Sequence, residues 1–137
     1  MGRSLRDMWR DRQRKQGWYD TPEYWDMKAT VYAGLARSNW PSNAYNAHVH
    51  ARQMATIDEL LGDVKGLRIA EVGCGTGRVC VHLAKRGATC IGWDFAPKTV
   101  EAARRHAEEE GASASFHVGD VLSPLRGELA SFDVVMT

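Results

Sequence analysis

The run Glu71-Val72-Gly73-Cys74-Gly75-Thr76-Gly77-Arg78 decides the fold, because it stands where a short apolar segment hands over to a helical one. Upstream, Leu67-Arg68-Ile69-Ala70-Glu71-Val72 reads as a strand; downstream, Val79 to Arg86 reads as a helix ended by Gly87. Glycines at the carboxyl end of a first strand let the backbone turn sharply, and they let a ligand lie against bare peptide groups with helix N–H groups facing it. That is the position of a nucleotide-type site. The spacing is GxGxG, with Arg78 where a dinucleotide fingerprint needs its last glycine, and no Walker lysine is present, so neither phosphate-cradling pattern is met.

Outward from the turn, strand and helix alternate. Thr89 to Trp93 reads as a second strand, Pro97 to Glu110 as a second helix with Gly111 after it, and Ser115 to Val118 as a third strand. After a loop containing Pro124 and Gly127, Phe132 to Thr137 forms a fourth β-rich run. Four strands with two crossover helices predict an α/β fold built on a parallel, doubly wound sheet.

Two carboxylates fall at the ends of these strands. Asp94 lies 23 residues beyond Glu71, where an acid can accept two ribose hydroxyl hydrogen bonds, and Phe95 beside it can pack an adenine face. Taken alone, Asp94 is equally a helix cap before Pro97. In Gly119-Asp120-Val121, Asp120 can accept from an adenine amino group and Val121 can cover the ring, although an Asp after a Gly is by itself a turn former.

Residues 1–62 read as helical and irregular. Thr21-Pro22 caps and opens a helix through about Tyr32; Ser38, Asn39, Pro41, Ser42 and Asn43 break the pattern; Ala44 to Leu61 is amphipathic, with Gly62 as its stop. All four tyrosines and four of the five tryptophans precede the glycine turn. They form either a lid and an aromatic acceptor pocket, with Tyr24, Trp40 and Tyr45 as its candidate residues, or an ordinary packing surface. His48 and His50, two apart on a helix, point to different faces and do not make a metal pair, and no metal site is expected.

Composition narrows the class. The 137 residues, 44% apolar and 26% charged, suit one globular domain, and a formal net charge of +1 gives no overall attraction to nucleic acid or membrane. The first 16 residues are locally basic, with Asp7 and Asp11 moderating Arg3, Arg6, Arg10, Arg12, Arg14 and Lys15, and they read as a solvated helix face. No secretory apolar core and no run near 18 apolar residues is found, so a cytoplasmic location is expected. Cys74, Cys80 and Cys90 are odd in number and lack a CxxC pair, which argues against a disulfide scaffold or zinc.

Together these residues resemble the class I S-adenosylmethionine-dependent methyltransferases. Leu67 to Arg78 looks like the family's first motif, Ala88 to Phe95 like the second, His117 to Leu122 like the third, and Phe132 to Thr137 like its fourth strand. Gly73-Cys74-Gly75 and Lys85-Arg86-Gly87-Ala88 are similar to the small-molecule methyltransferases, including those acting on quinone precursors. The resemblance implies S-adenosyl-L-methionine as cofactor, held by Glu71, Gly73, Cys74, Gly75 and Gly77 at its methionine end, by Asp94 at the ribose, and by Phe95, Asp120 and Val121 at the adenine. It implies a Rossmann-like core over residues 63–137, of about four strands in the order third, second, first, fourth, with an N-terminal helical lid over 1–62. The family's three further strands, and the acceptor-contacting residues they commonly carry, fall beyond Thr137. No catalytic base is assigned, because methyl displacement needs one only when the acceptor must lose a proton.

Two other readings stay open: a cofactor-binding or regulatory subunit without activity of its own, and a nucleotide-dependent oxidoreductase on the same fold. A further expectation concerns assembly. Val134, Val135 and Met136 have the continuous apolar character of a strand covered on both faces, so a homodimer or a separate C-terminal half is expected to pair at 132–137.

Overall fold

The computed structural model describes residues 21–32, 34–37, 42–120 and 131–137. Strand β1 (Arg68–Val72) pairs in parallel with β2 (Thr89–Asp94) on one side and with β4 (Val134–Met136) on the other, and β3 (Ala114–Val118) extends the sheet beyond β2. The order is therefore β3-β2-β1-β4. The chain steps outward from β1 to β3 and then returns to the far side of β1. That reversal opens a crevice at the carboxyl ends of the central strands, the place where open α/β sheets take their ligands.

Among the described residues the helical segments are α1 (Pro22–Val31), a 3-10 turn (Gly34–Arg37), α2 (Asn43–Leu61), α3 (Arg78–Lys85) and α4 (Pro97–Glu109). Their ends follow local chemistry. The hydroxyls of Thr21 and Ser42 accept the N–H groups of Tyr24 and Tyr45, each at 3.4 Å, and Gly62 closes α2 at φ +63°. At the start of α4 the cap position is Ala96, which has no side chain to offer. Asp26 of α1 takes over, accepting the Lys98 N–H at 2.7 Å, while Thr99 donates to the Trp25 carbonyl. A carboxylate at a helix N-terminus is favoured by both the free N–H groups and the helix dipole, and here it docks α1 onto α4.

Helix α2 is fastened to α3 by side chains rather than by a large apolar seam. Arg78 donates to His50 Nδ1 at 2.8 Å and to Gln53 Oε1 at 3.3 Å; further along, His82 and Arg86 both meet Asp58, and Arg86 also donates to the Gly62 carbonyl. Among the described residues no helix is long and apolar enough to cross a membrane.

The main core lies between the sheet and helices α3 and α4, where Ile69, Leu83, Val64 and Val100 are fully buried together with Cys80, Cys90 and Phe116. Each large apolar chain removed from water there contributes about 1.5–3 kcal/mol. A second, smaller cluster joins Ala70 and Trp93 to Ile91 and Phe132, with the Trp93 and Phe132 rings edge to face. All three cysteines are buried free thiols.

Candidate functional site

The turn after β1 is built by three glycines in the left-handed region, Gly73 at φ +71°, Gly75 at +54° and Gly77 at +73°, a conformation that costs other residues roughly 1–2 kcal/mol each. Backbone hydrogen bonds hold it against β2. The Trp93 carbonyl accepts from both Gly73 (2.8 Å) and Cys74 (2.9 Å), and the Asp94 carboxylate accepts the Gly75 N–H at 2.9 Å. Packing is close beneath: a Cβ on Gly77 would come within 2.6 Å of Phe116, and one on Gly92 within 2.8 Å of the Cys74 side chain. At Gly73 the opposite holds, since a Cβ there would meet nothing within 4 Å.

Gly73 faces open space because it stands between two hollows. The smaller, about 440 Å³, is lined by Val72, Gly73, Trp93, Asp94, Phe95, Gly119, Asp120 and Thr137. The larger, about 740 Å³, is lined by Glu71, Gly73, Arg78 and Val79, by Met136 and Thr137, and by one face of α2 comprising His48, Val49, Arg52, Gln53, Thr56 and Ile57. A ligand bent over Gly73 can place one end in each.

Electrostatics differ between the hollows. Glu71 is 8% exposed, and its Oε2 accepts the Cys80 N–H at 3.1 Å. Burial pushes its pKa up to about 7, against the pull of that hydrogen bond and of the Arg78 guanidinium. A buried acid with one N–H partner at the edge of a cavity suits a cationic group of a ligand. In the smaller hollow Asp94 is also buried, with Oδ2 on Gly75 and Oδ1 on the Ala96 N–H at 3.0 Å. A carboxylate oxygen has two acceptor lobes, so each retains capacity for a hydroxyl. Phe95 beside it is 38% exposed.

The sequence-derived residues therefore divide. Glu71 and Gly73 meet at the larger hollow, and Gly73, Asp94, Phe95 and Asp120 at the smaller. Gly75 and Gly77 shape the turn and line neither hollow, and the Cys74 side chain is buried against β2, where desolvation pushes its thiol pKa up. Tyr24 and Tyr45 line neither: Tyr24 stacks edge to face on Trp25, and Tyr45 is 59% exposed on the first turn of α2. Val121 and Trp40 lie outside the described residues. The α2 contribution was missed, although its signal was present: residues 48, 49, 52, 53 and 56 share one helical face. Trp93, whose ring stacks on His117 at 5.8 Å and whose carbonyl anchors the turn, was read only as strand.

The residues present fit S-adenosyl-L-methionine. An open backbone approach at Gly73, a buried acid for an ammonium group, and a second acid beside an exposed aromatic ring are the donor set such a molecule asks for.

Comparison with known proteins gives the same direction. Residues 69–137 match the family model described as "Methyltransferase domain". The chain is 42% identical to the ubiquinone biosynthesis O-methyltransferase of Methylocella silvestris over 53% of this chain and 28% of that protein. It is 38% identical to the magnesium-protoporphyrin O-methyltransferase of Rhodobacter capsulatus over 58% of this chain and 35% of that protein. Among solved structures, the RNA methyltransferase of Salinibacter ruber in complex with S-adenosyl-L-homocysteine superimposes with a TM-score of 0.55 at 26% identity, covering 62% of this chain and 56% of that one. The chain thus spans about a third of the length of the two curated relatives.

Proposed function

Because this chain belongs to the methyltransferase-domain family, we propose that it binds S-adenosyl-L-methionine across Gly73 and serves the transfer of its methyl group to a small-molecule acceptor. When bound, the cofactor supplies a sulfonium whose methyl carbon is open to in-line displacement. The observation that carries the reading is the position of Gly73 between a hollow holding Glu71 and a hollow holding Asp94 and Phe95.

In this reading Glu71 receives the ammonium group of the methionine end, and the glycine turn fixes the path of the chain beneath it. Asp94 orients the ribose, and Phe95 and Asp120 address the adenine. Helix α2 lines one side of the larger hollow, which supports a lid role for the N-terminal region over the core of residues 63–137. Positioning is the work these residues do, and it suffices where the acceptor needs no deprotonation. The two relatives named for O-methylation act on small molecules by their names, which supports that acceptor class here.

The free, buried state of all three cysteines supports a reducing compartment, the cytoplasm. Pairing at the open edge of β4 by a second copy or a separate C-terminal half completes the reading. Calorimetry with S-adenosylhomocysteine and with NAD tests it: binding of the first alone is expected, and binding of NAD alone overturns it in favour of an oxidoreductase.

A further inference from the structure

The larger hollow has a wall that the cofactor does not explain. Its nucleoside belongs to the smaller hollow and its ammonium to Glu71, yet the 740 Å³ space continues along α2 between apolar side chains, Val49 and Ile57 on the helix and Val79 and Met136 opposite. Two basic residues stand on that same wall. His48 and Arg52 are one helical turn apart, on one face.

Both are exposed. Among the described residues neither side chain makes a hydrogen bond or an ion pair. Every helix neighbour three or four positions from either one is uncharged, apart from the two themselves: Ala44, Tyr45 and Ala51 around His48, and Val49, Ala55 and Thr56 around Arg52. The nearest acid on the helix, Asp58, is turned to α3 and engaged by His82 and Arg86. Glu71, the acid on the cavity lining, feels the nearby Arg78 guanidinium. A guanidinium that lines a hollow and makes no ion pair among the described residues can grip a planar anion with two N–H groups at once.

We propose that this wall selects the methyl acceptor: an amphiphilic anion, with an apolar or aromatic body against Val49, Ile57 and Val79 and a carboxylate met by Arg52, with His48 beside it. The proposal rests on the cofactor reading above and gives its acceptor a chemical class. The rival occupant of Arg52 is the cofactor's own carboxylate. Arg78 answers that need from the head of α3, where it lines the same cavity as Glu71 and interacts with it.

The test uses the whole chain saturated with S-adenosylhomocysteine and a pair of probes that differ in charge alone, 2-naphthoate and 2-naphthamide. By calorimetry or ligand-observed NMR, naphthoate is expected to bind at least about tenfold more tightly than naphthamide. Arg52→Gln is expected to erase the preference while leaving the S-adenosylhomocysteine affinity unchanged, and Arg52→Lys to keep part of it. Equal affinities in the unmodified chain, or binding of neither probe at millimolar concentration, overturn the proposal. So does an Arg52→Gln chain that loses cofactor affinity instead, which assigns the guanidinium to the cofactor. Failure of S-adenosylhomocysteine itself to bind is seen in the first titration, before any probe is added, and overturns the cofactor reading together with the acceptor class built on it.

Discussion

Asp94 Oδ2 accepts the Gly75 N–H at 2.9 Å, which ties the end of β2 to the middle of the glycine turn that follows β1. The carboxylate thus has two tasks, bracing the turn and offering its remaining lobes to a ribose. Asp94→Ala removes both. S-adenosylhomocysteine affinity is expected to fall by about 1–3 kcal/mol, and urea unfolding to show a loss of similar size because the Gly75 N–H is left without its partner. Gly75→Val, which forces a branched side chain to φ +54°, is expected to exceed it. A folded Asp94→Ala chain with unchanged affinity refutes the ribose assignment.

Gly73 and Gly77 have nearly the same backbone angle, φ +71° and +73°, and different surroundings. Alanine at either position meets the left-handed penalty of roughly 1–2 kcal/mol. At Gly77 the new Cβ also lies 2.6 Å from the Phe116 ring, adding about 1–3 kcal/mol of overpacking, whereas at Gly73 it points into open space. Gly77→Ala is therefore expected to lower the melting temperature more, and Gly73→Ala to lose more ligand affinity than stability. The reverse ranking places the ligand elsewhere.

Glu71 ties stability to pH. Its ordinary value of 4.5 rises to about 7 in the fold because burial disfavours the charged carboxylate. Between those two values the folded chain binds more protons than the unfolded one, so stability falls as pH rises from about 4.5 to 7 and the loss is complete above that window. Glu71→Gln, which keeps an acceptor for the Cys80 N–H, is expected to gain on the order of 2–3 kcal/mol relative to the native chain at pH 8 and nothing at pH 4. For binding the sign reverses: ionised Glu71 is the form that receives an ammonium group, so affinity for S-adenosylhomocysteine is expected to rise between pH 6 and 8 and to flatten in Glu71→Gln. Denaturation and titration series across that range measure both.

Much of the sheet was legible because its signals are local. The alternation of apolar runs with Gly- and Pro-marked turns placed all four strands within about two residues of the observed bounds, and the strand order followed from the family resemblance. Asp94, Phe95 and Asp120, singled out by their places at strand ends, line one hollow. What escaped depends on contacts distant in sequence. The Asp26 cap on Lys98 spans 72 residues, and no pattern near Ala96 announces it. Likewise, α2 reads as amphipathic, yet its apolar Leu60 is 77% exposed while Arg52 and Gln53 line the larger hollow. The docking of α2 rests on His50–Arg78, Asp58–His82 and Asp58–Arg86 pairs that join side chains distant in sequence, which helical periodicity alone does not give.

The open edge of β4 gives the last prediction. Among the described residues β4 pairs on one side only, with β1, where Asp133 accepts the Arg68 N–H at 2.7 Å and so fixes the register at its start. Val134 and Met136 pack against the main core, but Val135 is 49% exposed. Among the described residues no strand pairs with the other side of β4, and backbone N–H and C=O groups on a strand edge beside an apolar side chain are the combination that recruits another strand. Pairing by a second copy or a separate C-terminal half is expected to cover both. Light scattering on this chain is then expected to show a dimer at high concentration, and Val135→Lys to weaken it about tenfold or more, since a charge forced against an apolar contact costs at least the ~1.4 kcal/mol that a factor of ten represents. If the dimer is absent, a separately supplied C-terminal half is expected to bind the unmodified chain and to bind Val135→Lys more weakly. A chain that stays monomeric and soluble, takes up no such partner, and behaves identically with lysine at 135 shows that the edge needs no covering strand.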